Sequence, residues 1–262
     1  MNGEKVRLGG MALGNGVLVH GPRAWACAIR TADGELKVVA RRKRLRASQV
    51  RNPILRGPAR LAEAFSLIPQ VKRALPEAEL PMQRPQVLAS MLASATVLQA
   101  AKRSALRPLA RELLTAVLSI APAALALRGG DLASYHGVEH KSIAAYEQDS
   151  DDAAGAAKEH DRCGSNLVAP MLVSTTAGNV AVRRAGLRGP AAEAIVGLGS
   201  VAFAVEVFAW SERHSDSALA RLLRRPGHEI QRVIGTREPT PEQLEVGQAA
   251  LDEILRVEGA LP

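Results

Sequence analysis

The sequence predicts a mainly α fold of the α+β type: a helical bundle, its apolar helices candidates for a bilayer, with a small N-terminal antiparallel β meander. Three observations carry that expectation. Short apolar runs before residue 42 are separated by turn dipeptides. Beyond residue 85 the chain turns to long uncharged stretches. Hydrophobic residues make up 47% of the 262-residue chain but aromatics only 3%, so the core is to be built from Ala, Leu and Val. The chain divides by composition into a β meander module (1–50), a proline-rich helical linker (51–85), a helical metal-site core (86–210) and C-terminal amphipathic helices (211–262).

In the first segment Val17-Leu18-Val19 runs into a Gly21-Pro22 turn, and Trp25 to Ile29 forms the next apolar run. Asp33-Gly34 is a tight-turn signal, after which Leu36-Lys37-Val38-Val39 reads as a further strand. Gly9, Gly10, Gly14 and Gly16 do not fit a nucleotide-binding fingerprint, because no strand precedes them and no Gly-Lys-Ser/Thr follows; they read as a flexible approach to the sheet. Arg41 to Arg46 holds five basic residues in six positions, suited to a solvated strand end or to anionic lipid headgroups. The first ten residues are polar and show no secretory signal.

After Asn52-Pro53 the spacing of Leu61, Phe65 and Ile68 is helical, and Pro69, Pro76, Pro81 and Pro85 are expected to break it. Four apolar stretches follow: 86–101, 113–127 with Pro122 as a kink, 165–182 and 191–210. Arg128-Gly129-Gly130 reads as a helix stop. A spanning helix needs about 20 apolar residues, and these runs are short or interrupted, so they suit either a buried helical core or a reduced membrane domain. Ser211 to Arg225 reads as an amphipathic helix ended by Pro226-Gly227. Thr240-Pro241-Glu242-Gln243 carries a capping box, and Leu244, Leu251, Ile254 and Leu255 share one face of the helix it starts.

The chemistry concentrates in Tyr135-His136-Gly137-Val138-Glu139-His140-Lys141. On a helix, positions four apart lie one above the other, so His136 and His140 face the same side and can grip one divalent ion. Glu139 between them is placed to act as general base, and the H-x-x-E-H order is the inverzincin signature. The alternative is a solvated or purely structural pair on a polar helix. A third ligand has to come from elsewhere. His160 is the first candidate and Cys163 the next, both from His160-Asp161-Arg162-Cys163-Gly164-Ser165. The third is Glu206, a carboxylate in an apolar helix where it needs a partner. Asp149 to Asp152 reads as a solvated acidic turn.

The net charge of +8 suits anionic lipid. No interleaving of basic and aromatic residues supports nucleic acid as a partner. Two cysteines, Cys27 and Cys163, make no disulfide framework and fit a reducing compartment.

Several of these pieces together resemble one family. Gly9-Gly10, Gly21-Pro22 and Asp33-Gly34 come first, then the 135–141 and 160–165 motifs, then Thr236-Arg237-Glu238-Pro239 with Glu242-Gln243. The chain is similar to the YqhQ-like bacterial proteins, a family of unknown function described as predicted metal-dependent enzymes and usually integral to the membrane. The resemblance implies a location at the bacterial cytoplasmic membrane, with the cytoplasm as the alternative, and supplies no substrate.

The expected function is therefore a metal-dependent hydrolase, with zinc as the expected metal, acting on peptides or another small substrate. Its rival is a non-catalytic membrane-associated scaffold, in which His136, His140, His160 and Cys163 close a structural metal site.

Overall fold

In a computed structural model of the chain, residues 5–104, 106–128 and 130–259 are described. Gly129, in the expected helix stop, and residues 1–4 of the polar amino terminus lie outside them. The fold is mainly α, with a four-stranded antiparallel meander at its N-terminal end.

Strands β1 (Gly9–Leu13), β2 (Gly16–His20), β3 (Ala24–Arg30) and β4 (Leu36–Arg42) pair in sequence order. The glycine-rich approach is thus itself a strand, with Gly10 opposite Val19 and Ala12 opposite Val17. Gly14-Asn15 makes the first turn, and Asn15 fixes it by accepting from the Glu79 N–H and donating to Arg30 and Glu77 carbonyls. The Asp33-Gly34 turn forms as expected, with Gly34 at a φ of 87° that an L side chain rarely adopts.

Because side chains alternate across a strand, the sheet has two apolar faces, and both are covered. Val17, Val19, Ala24, Ala26 and Ala28 pack under helices α4 (Leu132–Glu147) and α8 (Pro241–Glu258). Leu18, Trp25, Cys27 and Ile29 pack against Leu67, Val71 and Leu75 at the end of α1 (Pro53–Ala74). The 51–85 stretch is therefore more helical than its prolines suggest. Asn52 caps α1 through its side chain, and the helix runs on past Pro58 and Pro69, its later turns held down by the sheet.

The remaining helices form two hairpins, α2 (Pro85–Arg103) with α3 (Pro108–Arg128) and α5 (Val168–Arg184) with α6 (Pro190–Arg213), α1 lying along α6. Gly57 of α1 allows that approach, since a Cβ there would come within 3.0 Å of the Ala202 backbone. Among the described residues α6 is the one helix long and apolar enough to cross a bilayer, by length and composition. It turns small residues such as Ala192, Ser200, Ala202 and Ala204 inward and leaves Ile195, Leu198 and Phe203 exposed.

Helix α7 (Ala218–Ile230) does not stop at Pro226-Gly227. Gly227 lies so close to Asn166 that a Cβ would sit 2.7 Å from its backbone, and the helix then widens into a π turn over Gln231–Gly235. The capping box at Thr240 forms as written: Thr240 Oγ1 accepts from the Gln243 N–H, and the Gln243 side chain accepts from the Thr240 N–H.

Candidate metal centre

Helix α4 carries a polar sequence and is nonetheless buried along almost its whole length. Two glycines explain how neighbours come close enough to bury it. Gly137 lies under the Arg237 carbonyl, 2.3 Å from where a Cβ would stand, and Gly247 of α8 nests against Val138 and Ser142. The Thr236-Arg237-Glu238-Pro239 segment then clamps the helix, Arg237 N–H donating to the Ala133 carbonyl at 2.9 Å. Lys141, also buried, donates to the carbonyls of Ala154 and Ala156 and pairs with Glu238 at 3.0 Å, tying down the loop that follows α4.

His136 and His140 do point the same way, their ring centroids 4.3 Å apart. Nδ1 of His136 bonds to the Gly235 carbonyl at 2.7 Å and Nδ1 of His140 to the Lys158 carbonyl at 2.6 Å. A carbonyl only accepts, so both Nδ1 atoms carry the proton, and in the neutral ring Nε2 is the nitrogen with the lone pair. Cys163 closes the group: its Sγ is 3.4 Å from His136 Nε2, and one ligand atom from each of the three residues lies within 4.8 Å of the others. Nε2 of His140 is buried and has no hydrogen-bond partner among the described residues. Burial lowers the His140 pKa to about 3, with His136 beside it adding to the effect, so its imidazole is neutral. Burial, reinforced by the nearby Glu139, pushes the Cys163 thiol up to about 11.

Glu139 is buried and stands outside the trio. Burial raises its pKa, offset in part by His136 and His160. Its carboxylate rests on β1 at Gly10, where any Cβ would lie 2.5 to 2.6 Å from the acid group. Gly10 is required here by the side chain above it.

The other two expected ligands are placed differently. The His160 ring lies 5.7 Å from that of His140, but its Nδ1 accepts from the Arg162 N–H and its Nε2 faces Glu147 at 3.3 Å. Glu206 is on α6, paired through both oxygens with the Arg56 guanidinium of α1. The partner that its setting demanded is thus an arginine. Of the basic run, Lys43 is buried between Glu63 and His20, whereas Arg41, Arg42 and Arg44 are exposed.

Sequence reasoning missed the residues that hold the cluster side chains. Gly235 and Lys158 act through backbone carbonyls, which no side-chain pattern reveals. Gln231 is fully buried, accepts from the His160 N–H at 2.7 Å and donates to Ser165 Oγ at 2.8 Å, and so fixes the loop bearing Cys163.

Fold and centre together define a helical protein, backed by a small sheet, with a His-His-Cys cluster in which His140 and Cys163 are buried and His136 is half-buried. The chain belongs to the protein family of unknown function DUF1385, whose model matches residues 82–257 and so takes in all three members of the cluster. No curated protein and no solved structure matches it.

Proposed function

We propose that His136, His140 and Cys163 hold a divalent metal, zinc by their donor set, at the active centre of a hydrolase. The observation that carries the reading is the unpartnered, buried Nε2 of His140, facing a second imidazole and a thiol, while both Nδ1 atoms are committed to carbonyls. A buried polar atom without a partner is costly, and a metal removes that cost. Two nitrogens and one sulfur are a zinc-type donor set, and three protein ligands leave a fourth position for catalysis. Zinc in such a setting is a Lewis acid that brings the pKa of water to about 7. Glu139 accepts the proton released and returns it to the leaving group, a role suited to a carboxyl whose pKa burial has raised. The order of His136, Glu139 and His140 supports a peptidase-like reaction on a peptide or another small substrate.

The reading extends to the bacterial cytoplasmic membrane, in line with the resemblance to YqhQ-like proteins. Small residues inward and large apolar residues outward on α6 are the arrangement of a helix that faces lipid. The exposed arginines 41, 42 and 44 suit an anionic headgroup layer.

The scaffold reading keeps one specific support, the His160 ring beside His140. A turn of that side chain away from Glu147 makes a fourth ligand and closes the site. Glu139→Gln separates the two readings. In the hydrolase the variant holds metal as wild type does and loses about 10²- to 10⁴-fold of turnover on a peptide library. Equal turnover by the two proteins on every substrate found defeats the enzyme assignment.

A further inference from the structure

Away from the metal centre, the tips of the two helical hairpins enclose a cleft of about 800 Å³. None of the cluster residues lines it. Its volume falls within the roughly 300–1,000 Å³ of small-molecule sites. Its walls divide by chemistry. Leu98 of α2, Val182 of α5 and Val196 of α6 make an apolar lining, and small residues of α6 leave room between them. Among the described residues, Arg111 at the start of α3 and Arg188 in the turn before α6 bring guanidinium groups to the rim, and Arg183 at the end of α5 and Glu193 of α6, both already engaged, line it as well. Arg111 donates to the carbonyls of Ser104 and Leu106 through Nη2, while its buried Nε has no partner among the described residues. The N-terminus of α6, 24 residues long, opens at the same place and adds the positive end of its dipole.

An apolar slot with a cationic rim matches one ligand chemistry: an acyl chain carrying a single anionic head. We propose that the cleft between the hairpins binds a long-chain anionic amphiphile, the chain between α2, α5 and α6 and the head at Arg111 and Arg188. A neutral amphiphile of equal length brings no charge to Arg111 and Arg188 and binds less well.

Gly197 supplies the test. It lines the cleft, and a Cβ there meets nothing within 4 Å, so the side chain of Gly197→Leu starts in open space and takes up room in the slot. Gly199, two residues on, is equally open but does not line the cleft, and Gly199→Leu is the control. The full chain, in a non-ionic detergent, is photolabelled with a diazirine-bearing long-chain fatty acid and with the matching fatty alcohol, and the labelled peptides are mapped by mass spectrometry. The acid is expected to label residues lining the cleft, Gly197→Leu to cut that labelling about tenfold, and Gly199→Leu to leave it unchanged, all three proteins keeping one melting temperature. Arg188→Gln should weaken labelling by the acid and leave the alcohol alone. Competition by lysophosphatidylglycerol rather than free oleate would identify a phosphate head as the source, and the reverse a carboxylate; failure of both to compete overturns the proposal. Label spread over the exposed helix faces, or equal loss in the two leucine variants, overturns it as well.

Discussion

Helices α4 and α6 have exchanged the places that hydropathy assigns them. α4 carries two histidines, two glutamates and a lysine, yet 13 of its 16 residues are buried. α6 is the most apolar helix of the protein, and only 33% of its apolar window is buried. The difference teaches what each helix is for. Polar atoms accumulate inside α4's surroundings because carbonyls from three segments, at Gly235, Lys158 and Ala154 to Ala156, satisfy them one by one. On α6 Ile195, Leu198 and Phe203 point away from the protein, and the proposed membrane would cover them.

The comparison breaks first at His140. His140→Ala is expected to lower metal affinity by more than about 100-fold, beyond what loss of an outer hydrogen-bond partner costs, as read by metal content after dialysis. Retention of a full equivalent of metal would make the burial of α4 a matter of packing alone.

On α6, Leu198→Asp and Phe203→Asp are each expected to disfavour insertion by about 2.5–3.5 kcal/mol. Wild type should resist a salt wash and come off with detergent, while the double variant shifts to the soluble fraction. A wild-type chain found entirely soluble without detergent would make α6 a helix covered by protein.

A smaller effect concerns the helix that closes over α4. Glu258 at the end of α8 is fully buried and accepts from the N–H groups of Arg23 and Ala24 and from the Arg23 guanidinium. Burial alone raises its pKa, but these donors outweigh it and hold the carboxyl below its usual value. A carboxyl depressed by folding stabilises above its unfolded pKa, about 4.3, and that contribution is lost as pH falls through the folded value. Glu258→Ala should cost about 2 kcal/mol at pH 7, because buried N–H donors lose their acceptor, and the gap to wild type in urea unfolding should narrow below pH 4. A gap that persists there assigns the loss to packing.

These contrasts also mark how much was legible beforehand. The meander was readable from Asp33-Gly34 and the short apolar runs, and α8 from its capping box, because both signals are local. The β1 strand was hidden, since Gly10 is a glycine for the sake of Glu139, 129 residues away. The length of α1 was hidden because contacts with the sheet override its prolines. In the centre, His136 and His140 follow from helical spacing alone. The choice of Cys163 over His160 does not, for it rests on how Gln231 and Arg162 orient a loop. Glu206 was read as needing a partner, and a carboxylate's need is met as well by Arg56 as by a metal.

The central claim is the donor set, and zinc-edge X-ray absorption of the purified, zinc-loaded protein reads it directly. The account predicts one sulfur at about 2.3 Å with nitrogen or oxygen neighbours at about 2.0–2.1 Å, the sulfur lost in Cys163→Ala. A zinc ion surrounded only by nitrogen and oxygen, or a sulfur signal that survives the Cys163 variant, would contradict it.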